Sequence, residues 1–506
     1  MRRAYDVAAV RSAEERAIAA VGAAALMQRA SHGLALTCAS LLRERRGGLY
    51  GSRVVLLVGS GNNGGDTLFA GAMLAARGCA VEAVTVSQTP HPAGLAALID
   101  NGGRVTAVTD EAAVADVVHR LRDADLVMDG VVGIGGKGPL RPTAAILARA
   151  AANGDAIRVA VDIPSGVDPD TGQVEDVERV FSADVTVTFG CWKTGLLGSP
   201  GRDSAGAVEV VDIGLEPYLN PAPDVRAIQI SDLRPYLRVP RANDHKYSRG
   251  VVGVLAGSRR YPGAALLTVG GARRSGVGMV RILDRDDGVA QQVIDHYPDV
   301  VAHTEEPAAD PRVLAWAVGP GIGAGRSDQK WLIQVMEADV PVVLDADAIT
   351  LVAKHADVRR FLDARAARGS MTVLTPHVGE FGRLGFHVGS GGRVEAAKLA
   401  ARELGCLVLL KGSGSVVAAP TGAVYIDPLG AHDLATAGSG DVLTGLIAGV
   451  LAHRSATASI TDSARAVAAA AYIHGMAGIE AGADGVPVTS SDIVAALPGA
   501  VAGLRS

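Results

Sequence analysis

The chain has 506 residues, too many for one ordinary hydrophobic core, because cores stop growing at roughly 250 to 300 residues, and two large domains are predicted. Its composition, 48% hydrophobic and 20% charged, excludes intrinsic disorder, and 63 glycines suit the tight strand-to-helix turns of an α/β protein. A net charge of −5 supplies no general basic field to hold phosphodiester backbones, so nucleic acid is not an expected partner.

The opening stretch MRRAYDVAAVRSAEERAIA places Asp6, Glu14 and Glu15 among apolar residues and lacks the unbroken apolar core of a signal peptide. From Arg53, short β-branched runs alternate with helical patterns: RVVLLVG, then DTLFAGAMLAARG closed by Gly78, then AVEAVTV, DLVMDG and AIRVAVDIP. That rhythm predicts βαβ units and a parallel sheet. It fails between Leu215 and Arg226, where EPYLNPAPDVR packs three prolines into a polar stretch that sustains neither helix nor central strand. The predicted domains are therefore 1–222 and 223–506. The alternation restarts with GVVGVLAG, AALLTVGGARRSG, GMVRI, LAWAVGPG, VPVVLDADA, MTVLTP and CLVLLKG, and ends in helices. The alanine-rich run from Ser463 to Gly482 is broken by Arg465, His474 and Glu480 and reads as a buried helix, so no membrane anchor is expected. Cys38, Cys79, Cys191 and Cys406 form neither a CxxC pair nor a Cys/His cluster, which points to a reducing, cytoplasmic setting without zinc or disulfides.

Three polar strand ends stand out in the first half. GSGNNGGD (59–66) follows a strand and opens a helix, where backbone N–H groups and the helix dipole favour anions. Its spacing is not GxGxxG, and its amide and carboxylate oxygens suit a hard cation better than a bare phosphate cradle would. Asp129 ends DLVMD and is followed by the loop GIGGKGP (133–139), and Asp162 and Ser165 lie in DIPSG (162–166). All three belong at the carboxyl edge of one sheet, the ligand edge of open α/β sheets.

Together with the later TVTFGCWKTG, these motifs resemble the NAD(P)H-hydrate epimerase family over essentially the first 215 residues. The resemblance implies a Rossmann-like three-layer domain. It implies substrate contacts from Asn62, Asn63, Gly64, Gly65, Asp66, Gly133, Ile134, Gly135, Gly136, Lys137, Gly138, Pro139 and Asp162, and a potassium ion held by Asn63, Asp129 and Ser165. Epimerisation needs a proton to be moved, so Asp162 is the expected base and Lys193 its electrostatic partner. Thr67, where many family members have glycine, and GIGGKG, in place of a GTG-like sequence, depart from the family pattern.

In the second half GSGD (438–441) precedes the apolar helix VLTGLIAGVLA, placing Asp441 beside amides that can stabilise charge on a transferred phosphoryl group. LKGSGS (410–415), GPGIG (319–323) and TPHVGE (375–380) add further strand-end loops. With HKYSRGVVGVLAGS and VLDADA they resemble the NAD(P)H-hydrate dehydratases of the ribokinase-like superfamily, from about Arg234 onward. The resemblance implies a ribokinase-like α/β domain whose substrate pocket is lined by Ala264, Gly321, Gly323, His377, Val378, Gly379, Glu380, Phe381, Gly382, Arg383 and Asp441. It implies nucleotide contacts from Lys411, Gly412, Ser413, Gly414, Ser415, Gly438, Ser439 and Gly440, with Asp441 as catalytic base.

The phosphoryl donor implied is ADP, with magnesium offsetting its charge. Glu380 is a candidate magnesium ligand and equally a helix-start acid answering the macrodipole. The expected partners are small molecules, hydrated NADH and NADPH with ADP, and the chain is expected to form a homo-oligomer. Two other readings stay open: a ribokinase-like kinase with an N-terminal regulatory module, and a binding protein without turnover.

Overall fold

Hydrophobic alternation decides where the first sheet lies. In the strand Arg53–Val58, Leu56 and Val58 enter one core cluster while Val55 and Leu57 enter another, so both faces of the strand are buried, as a parallel strand between two helix layers requires. The computed structural model describes residues 1–504 except 88, 109, 224, 238, 308, 309 and 455–457, and it divides into two units, Arg3–Pro223 and Asp224–Ser506 with Met1–Arg2.

The strands of the first unit are β1 (Arg2–Tyr5), β2 (Arg53–Val58), β3 (Ala80–Thr85), β4 (Arg104–Ala107), β5 (Leu126–Gly130), β6 (Ile157–Val161), β7 (Val185–Phe189), β8 (Trp192–Lys193) and β9 (Ala207–Val211). Seven form a wholly parallel sheet in the order β4-β3-β2-β5-β6-β7-β9. The chain winds outward from β2 to β4 and then returns to β5 on the other side of β2. Helices leaving the carboxyl ends of β2 and β5 therefore diverge and open a crevice there. β1 pairs in parallel with β8, setting Tyr5 opposite Lys193.

The second unit contains β10 (Val225–Ala227), β11 (Val251–Leu255), β12 (Met279–Leu283), β13 (Val301–His303), β14 (Ala315–Val318), β15 (Val342–Leu344), β16 (Thr372–Leu374), β17 (Leu407–Leu410), β18 (Val416–Ala418) and β19 (Val424–Ile426). The order is β13-β12-β11-β14-β15-β16-β17-β18-β19-β10. It is parallel as far as β17, after which β18 runs antiparallel to both its neighbours. The βαβ rhythm does not announce this meander. Its cause is the short loop 411–415, since a parallel crossover takes a dozen or more residues.

The helices Pro262–Arg274 and Ser439–Ala452 cross almost backbone to backbone. A Cβ on Gly445 would lie 1.9 Å from the Thr268 carbonyl oxygen, and one on Gly271 2.1 Å from that of Val442. Gly445→Ala must push the two helices apart and is expected to lower the urea midpoint by an amount equivalent to about 1–3 kcal/mol. The alanine-rich run lies in helix Ile460–Ala481, and its residues from Ala466 to Ile473 are spent on the unit's own core. Among the described residues no helix is long and apolar enough to cross a membrane, and the four cysteines are free and buried.

Candidate active sites

In the first unit the polar strand ends meet beside the crevice. Asp129, the fourth residue of β5, is fully buried and accepts hydrogen bonds from Ser165 N at 2.8 Å, Ser165 Oγ at 2.7 Å and Val131 N at 3.2 Å. Burial pushes its carboxyl up to about 6, opposed by the bonds from Ser165. Gly133 lies against Asn63, for a Cβ there would come 3.0 Å from Asn63 Oδ1, and Asn63 Nδ2 is buried without a partner among the described residues. Asp129 and Ser165 thus bring carboxylate and hydroxyl oxygens together, and the Asn63 amide stands against Gly133 in the loop that follows β5. The loop Gly133 to Pro139 is closed by a bond from Gly136 N to Gly133 O at 2.9 Å, with Lys137 exposed. Thr67 donates to the Asn63 carbonyl at 2.7 Å and fills the space beside Gly130, so the threonine takes up contacts that a glycine would leave open.

Asp162 follows β6 with φ of +67°, a conformation that non-glycine residues adopt only when the surroundings impose it. Its backbone N–H donates to the Val187 carbonyl at 2.8 Å, and its carboxylate meets Lys193. The ammonium is 1% exposed and donates to Asp162 Oδ1 at 2.5 Å, Thr188 Oγ1 at 2.9 Å and the Phe189 carbonyl at 2.8 Å. Asp162 Oδ1 also accepts from Thr188 Oγ1 at 3.1 Å and Phe189 N at 3.2 Å. The lysine is therefore a buried, fully engaged cation and not a solvated surface side chain.

A cavity of about 680 Å³ is lined by Phe189, whose backbone bonds both members of this pair, with Phe69, Met73 and Met27 on its apolar wall and Glu14, Asn62 and Asp66 on its polar side. Burial raises Asp66 well above the ordinary carboxylate range, and the Asp162 charge adds to it.

In the second unit Asp441 stands in the first turn of helix Ser439–Ala452, after Gly438 in the left-handed region. The Gly438 φ of +90° is one that L side chains rarely adopt, and Leu267 comes within 2.3 Å of where a Cβ would sit, so the turn favours glycine. Burial, then the Asp345 charge, push Asp441 up to about 7, against a lowering by Lys411. Lys411 Nζ donates to Asp345 Oδ1 at 2.6 Å and lies 3.8 Å from Glu380 Oε2, while Thr444 Oγ1 donates to Asp345 Oδ2 at 2.8 Å. Gly440 lets this group close up, because a Cβ there would lie 3.2 Å from Lys411 Nζ.

A cavity of about 470 Å³ is lined by Lys411, Gly412, Ser413, Ser415, Ser439 and Gly440, together with His377 and His474. Burial pushes His474 down to about 4, so its ring is neutral near pH 7. Gly414 completes the 411–415 loop at φ of +75°. Glu380 closes a capping box: its carboxylate accepts from His377 N at 3.0 Å, and His377 Nδ1 accepts from Gly379 N at 2.9 Å. Of its two expected roles, the helix-start role is the one the geometry displays.

Along the same helix, Arg383 donates to Thr350 Oγ1 at 3.2 Å, Val378, Gly379 and Gly382 occupy its turns, and the Phe381 ring is fully buried against Phe386 and packs internally. Ala264 and Gly321 touch, a Cβ on the glycine falling 2.9 Å from that of Ala264, and Gly323 N donates to Asp347 Oδ2 at 2.9 Å. Asp345 and Thr444 were not among the expected site residues. VLDADA does place Asp345 just after a strand, the one local signal for it, whereas nothing in sequence distinguishes Thr444 within its helix.

Two family models match the chain. One, described as YjeF-related protein N-terminus, covers residues 23–195, and the other, NAD(P)H-hydrate dehydratase, covers residues 252–498. A bifunctional NAD(P)H-hydrate repair enzyme of Mycobacterium leprae is 41% identical over 510 residues, all of both chains. The chain belongs to the bifunctional NAD(P)H-hydrate repair enzymes. A Mycobacterium tuberculosis member of these repair enzymes is 43% identical over 454 residues, 89% of each chain. The ADP/ATP-dependent NAD(P)H-hydrate dehydratase of Bacillus subtilis, crystallised with ATP and Mg2+, is 31% identical, covering 56% of this chain and 99% of that one with a TM-score of 0.47. Membership in the repair enzymes makes the fold α/β throughout, Rossmann-like and then ribokinase-like, and makes the chain an enzyme with an epimerase and a dehydratase part.

Proposed function

We propose that the first unit interconverts the R and S hydrates of NADH and NADPH and that the second dehydrates the S hydrate at the expense of ADP, releasing AMP and phosphate. The observation that carries the dehydratase reading is Asp441 at a helix N-terminus, ringed by Asp345, Lys411 and Glu380 beside the second cavity. In this reading Asp441 takes the proton of the C6 hydroxyl, and that oxygen attacks the terminal phosphoryl of ADP at the N-terminus of helix Ser439–Ala452, whose dipole favours the developing negative charge. Phosphate then leaves C6, pushed by the ring nitrogen, and loss of a C5 proton restores the dihydronicotinamide. Lys411, through Asp345, holds the acid cluster in place, and Lys411 to Ser415 with Gly438 to Gly440 bind the nucleotide.

Magnesium would neutralise phosphate charge on the nucleotide. Both Asp345 oxygens are taken up by Lys411 and Thr444, and Asp347 Oδ2 by Gly323 N, so no ready-made carboxylate set for the ion is displayed among the described residues. Asn63, Asp129 and Ser165 fit potassium by their oxygen chemistry: Asp129 and Ser165 are paired, Asn63 stands against Gly133 in the loop after β5, and Asp129 is held by neutral groups alone among the described residues. Asn63→Ala is expected to abolish the potassium dependence of epimerisation while leaving dehydration unchanged, as read by titrating KCl against each activity. A homo-oligomer and a cytoplasmic setting complete the proposal, tested by sedimentation and fractionation.

The decisive experiment incubates the chain with mixed hydrate epimers and ADP and follows absorbance of the reduced nicotinamide. Recovery of all the hydrate supports both activities, and recovery of only the S fraction supports the dehydratase alone. Release of a stable phosphorylated product without recovery would show a kinase instead.

A further inference from the structure

Epimerising a hemiaminal carbon takes two proton transfers. The C6–N1 bond breaks with its electron pair going to N1, which takes a proton, while the hydroxyl loses its proton and becomes the aldehyde. After rotation about C5–C6, N1 re-adds to the other face and both protons return. One carboxylate cannot serve both ends at once, so a second proton carrier is needed besides Asp162.

The first cavity supplies a candidate on an element the motifs do not include. Glu14, on helix Val7–Val21, lines the cavity together with Asn62, Asp66 and Phe189. Phe189 locates the ion pair at that same wall, because its N–H donates to Asp162 Oδ1 at 3.2 Å and its carbonyl accepts from Lys193 Nζ at 2.8 Å.

We propose that Glu14 is the second proton-transfer residue of the epimerase, giving its proton to the ring nitrogen while the Asp162 carboxylate takes that of the hydroxyl. The proposal rests on the epimerase reading above.

The electrostatics agree with that division of roles. Lys193 Nζ donates to Asp162 Oδ1 at 2.5 Å. Burial and the Asp162 charge raise Glu14, with Lys193 and Arg11 opposing, so that it keeps its proton to higher pH than an exposed glutamate. The groups facing it are Arg11 from its own helix and Asp66, Asp162 and Lys193 from other elements, with His91 across the cavity. Asp66 is less suited to the role, since Ser31 Oγ reaches its carboxyl at 3.4 Å and it is more deeply buried.

The test uses the full chain and purified R hydrate, with the two epimers separated by chromatography. Glu14→Gln is expected to lower kcat for epimerisation by about 10²- to 10⁴-fold with KM within threefold, and to remove the alkaline limb of the pH profile. Glu14→Asp should recover part of the rate and the limb. A kcat for Glu14→Gln within threefold of the unmodified chain overturns the inference. So does a slow Glu14→Gln that keeps both limbs while Glu14→Asp is equally slow, which would mark a structural role. If the unmodified chain does not epimerise, the epimerase reading itself fails.

Discussion

Asp441→Asn is expected to lower kcat for dehydration of the S hydrate by about 10²- to 10⁴-fold and to leave R-to-S epimerisation unchanged. Asparagine matches the aspartate in shape, so the helix N-terminus and its glycine turn survive, and only the capacity to take a proton is lost. The pH dependence follows from the same residue. Its carboxyl is raised to about 7 by burial and by the negative charge of Asp345, Glu380 and Asp347, with Lys411 pulling the other way. As a base it works only when ionised, so kcat/KM for the hydrate should fall about tenfold per unit as pH drops below about 7. Lys411→Met removes the one lowering influence and should move this limb to higher pH, besides weakening nucleotide binding. Rates measured between pH 5 and 9 in the unmodified chain and both variants check this, and a limb that stays put in Lys411→Met would remove Lys411 from the account.

Lys193→Met is expected to destabilise the first unit by about 3–5 kcal/mol, because it leaves the Asp162 carboxylate buried without its cation. The backbone at Asp162 is strained as well, its φ being +67°. Asp162→Asn is milder for stability, as the amide oxygen can still accept from Lys193, Thr188 and Phe189, yet epimerisation should be lost because the amide takes no proton. Urea unfolding followed alongside epimer equilibration separates the two effects. Equal stability losses in both variants would show that charge pairing is not what holds the site.

Much of this was legible along the chain. The alternation from Arg53 onward carries the β2 to β6 order of elements, and the failure of that rhythm at the prolines near 217–223 falls where one compact unit gives way to the other. Asn63, Asp129 and Asp162 could be singled out because each stands at a strand end or a helix start, Ser165 because it follows Asp162 in the same motif, and strand ends of a parallel sheet share one edge. Glu14 was not legible as a site residue. It sits mid-helix in a stretch whose only visible property is amphipathic charge, and it reaches the cavity because the helix Val7–Val21 packs there. Asp345 and Thr444 were hidden for the same reason: 99 residues separate them, and only the placement of β15 beside helix Ser439–Ala452 joins them in one hydrogen bond.

The burial of Lys193 marks the division most sharply. Sequence by itself determined the two α/β halves, the glycine-rich loops at the strand ends and the acid at the start of the Ser439 helix, because these depend on local periodicity and on which residue types can occupy a turn. Whether a lysine in a short strand is a surface cation or the buried partner of an aspartate 31 residues earlier depends on how β6, β7 and β8 are set side by side. Desolvation and Coulomb attraction act through space, so the tertiary structure alone decided the upward push on the Asp441 carboxyl, the ion pair at Asp162 and the place of Glu14 on the cavity that Phe189 shares.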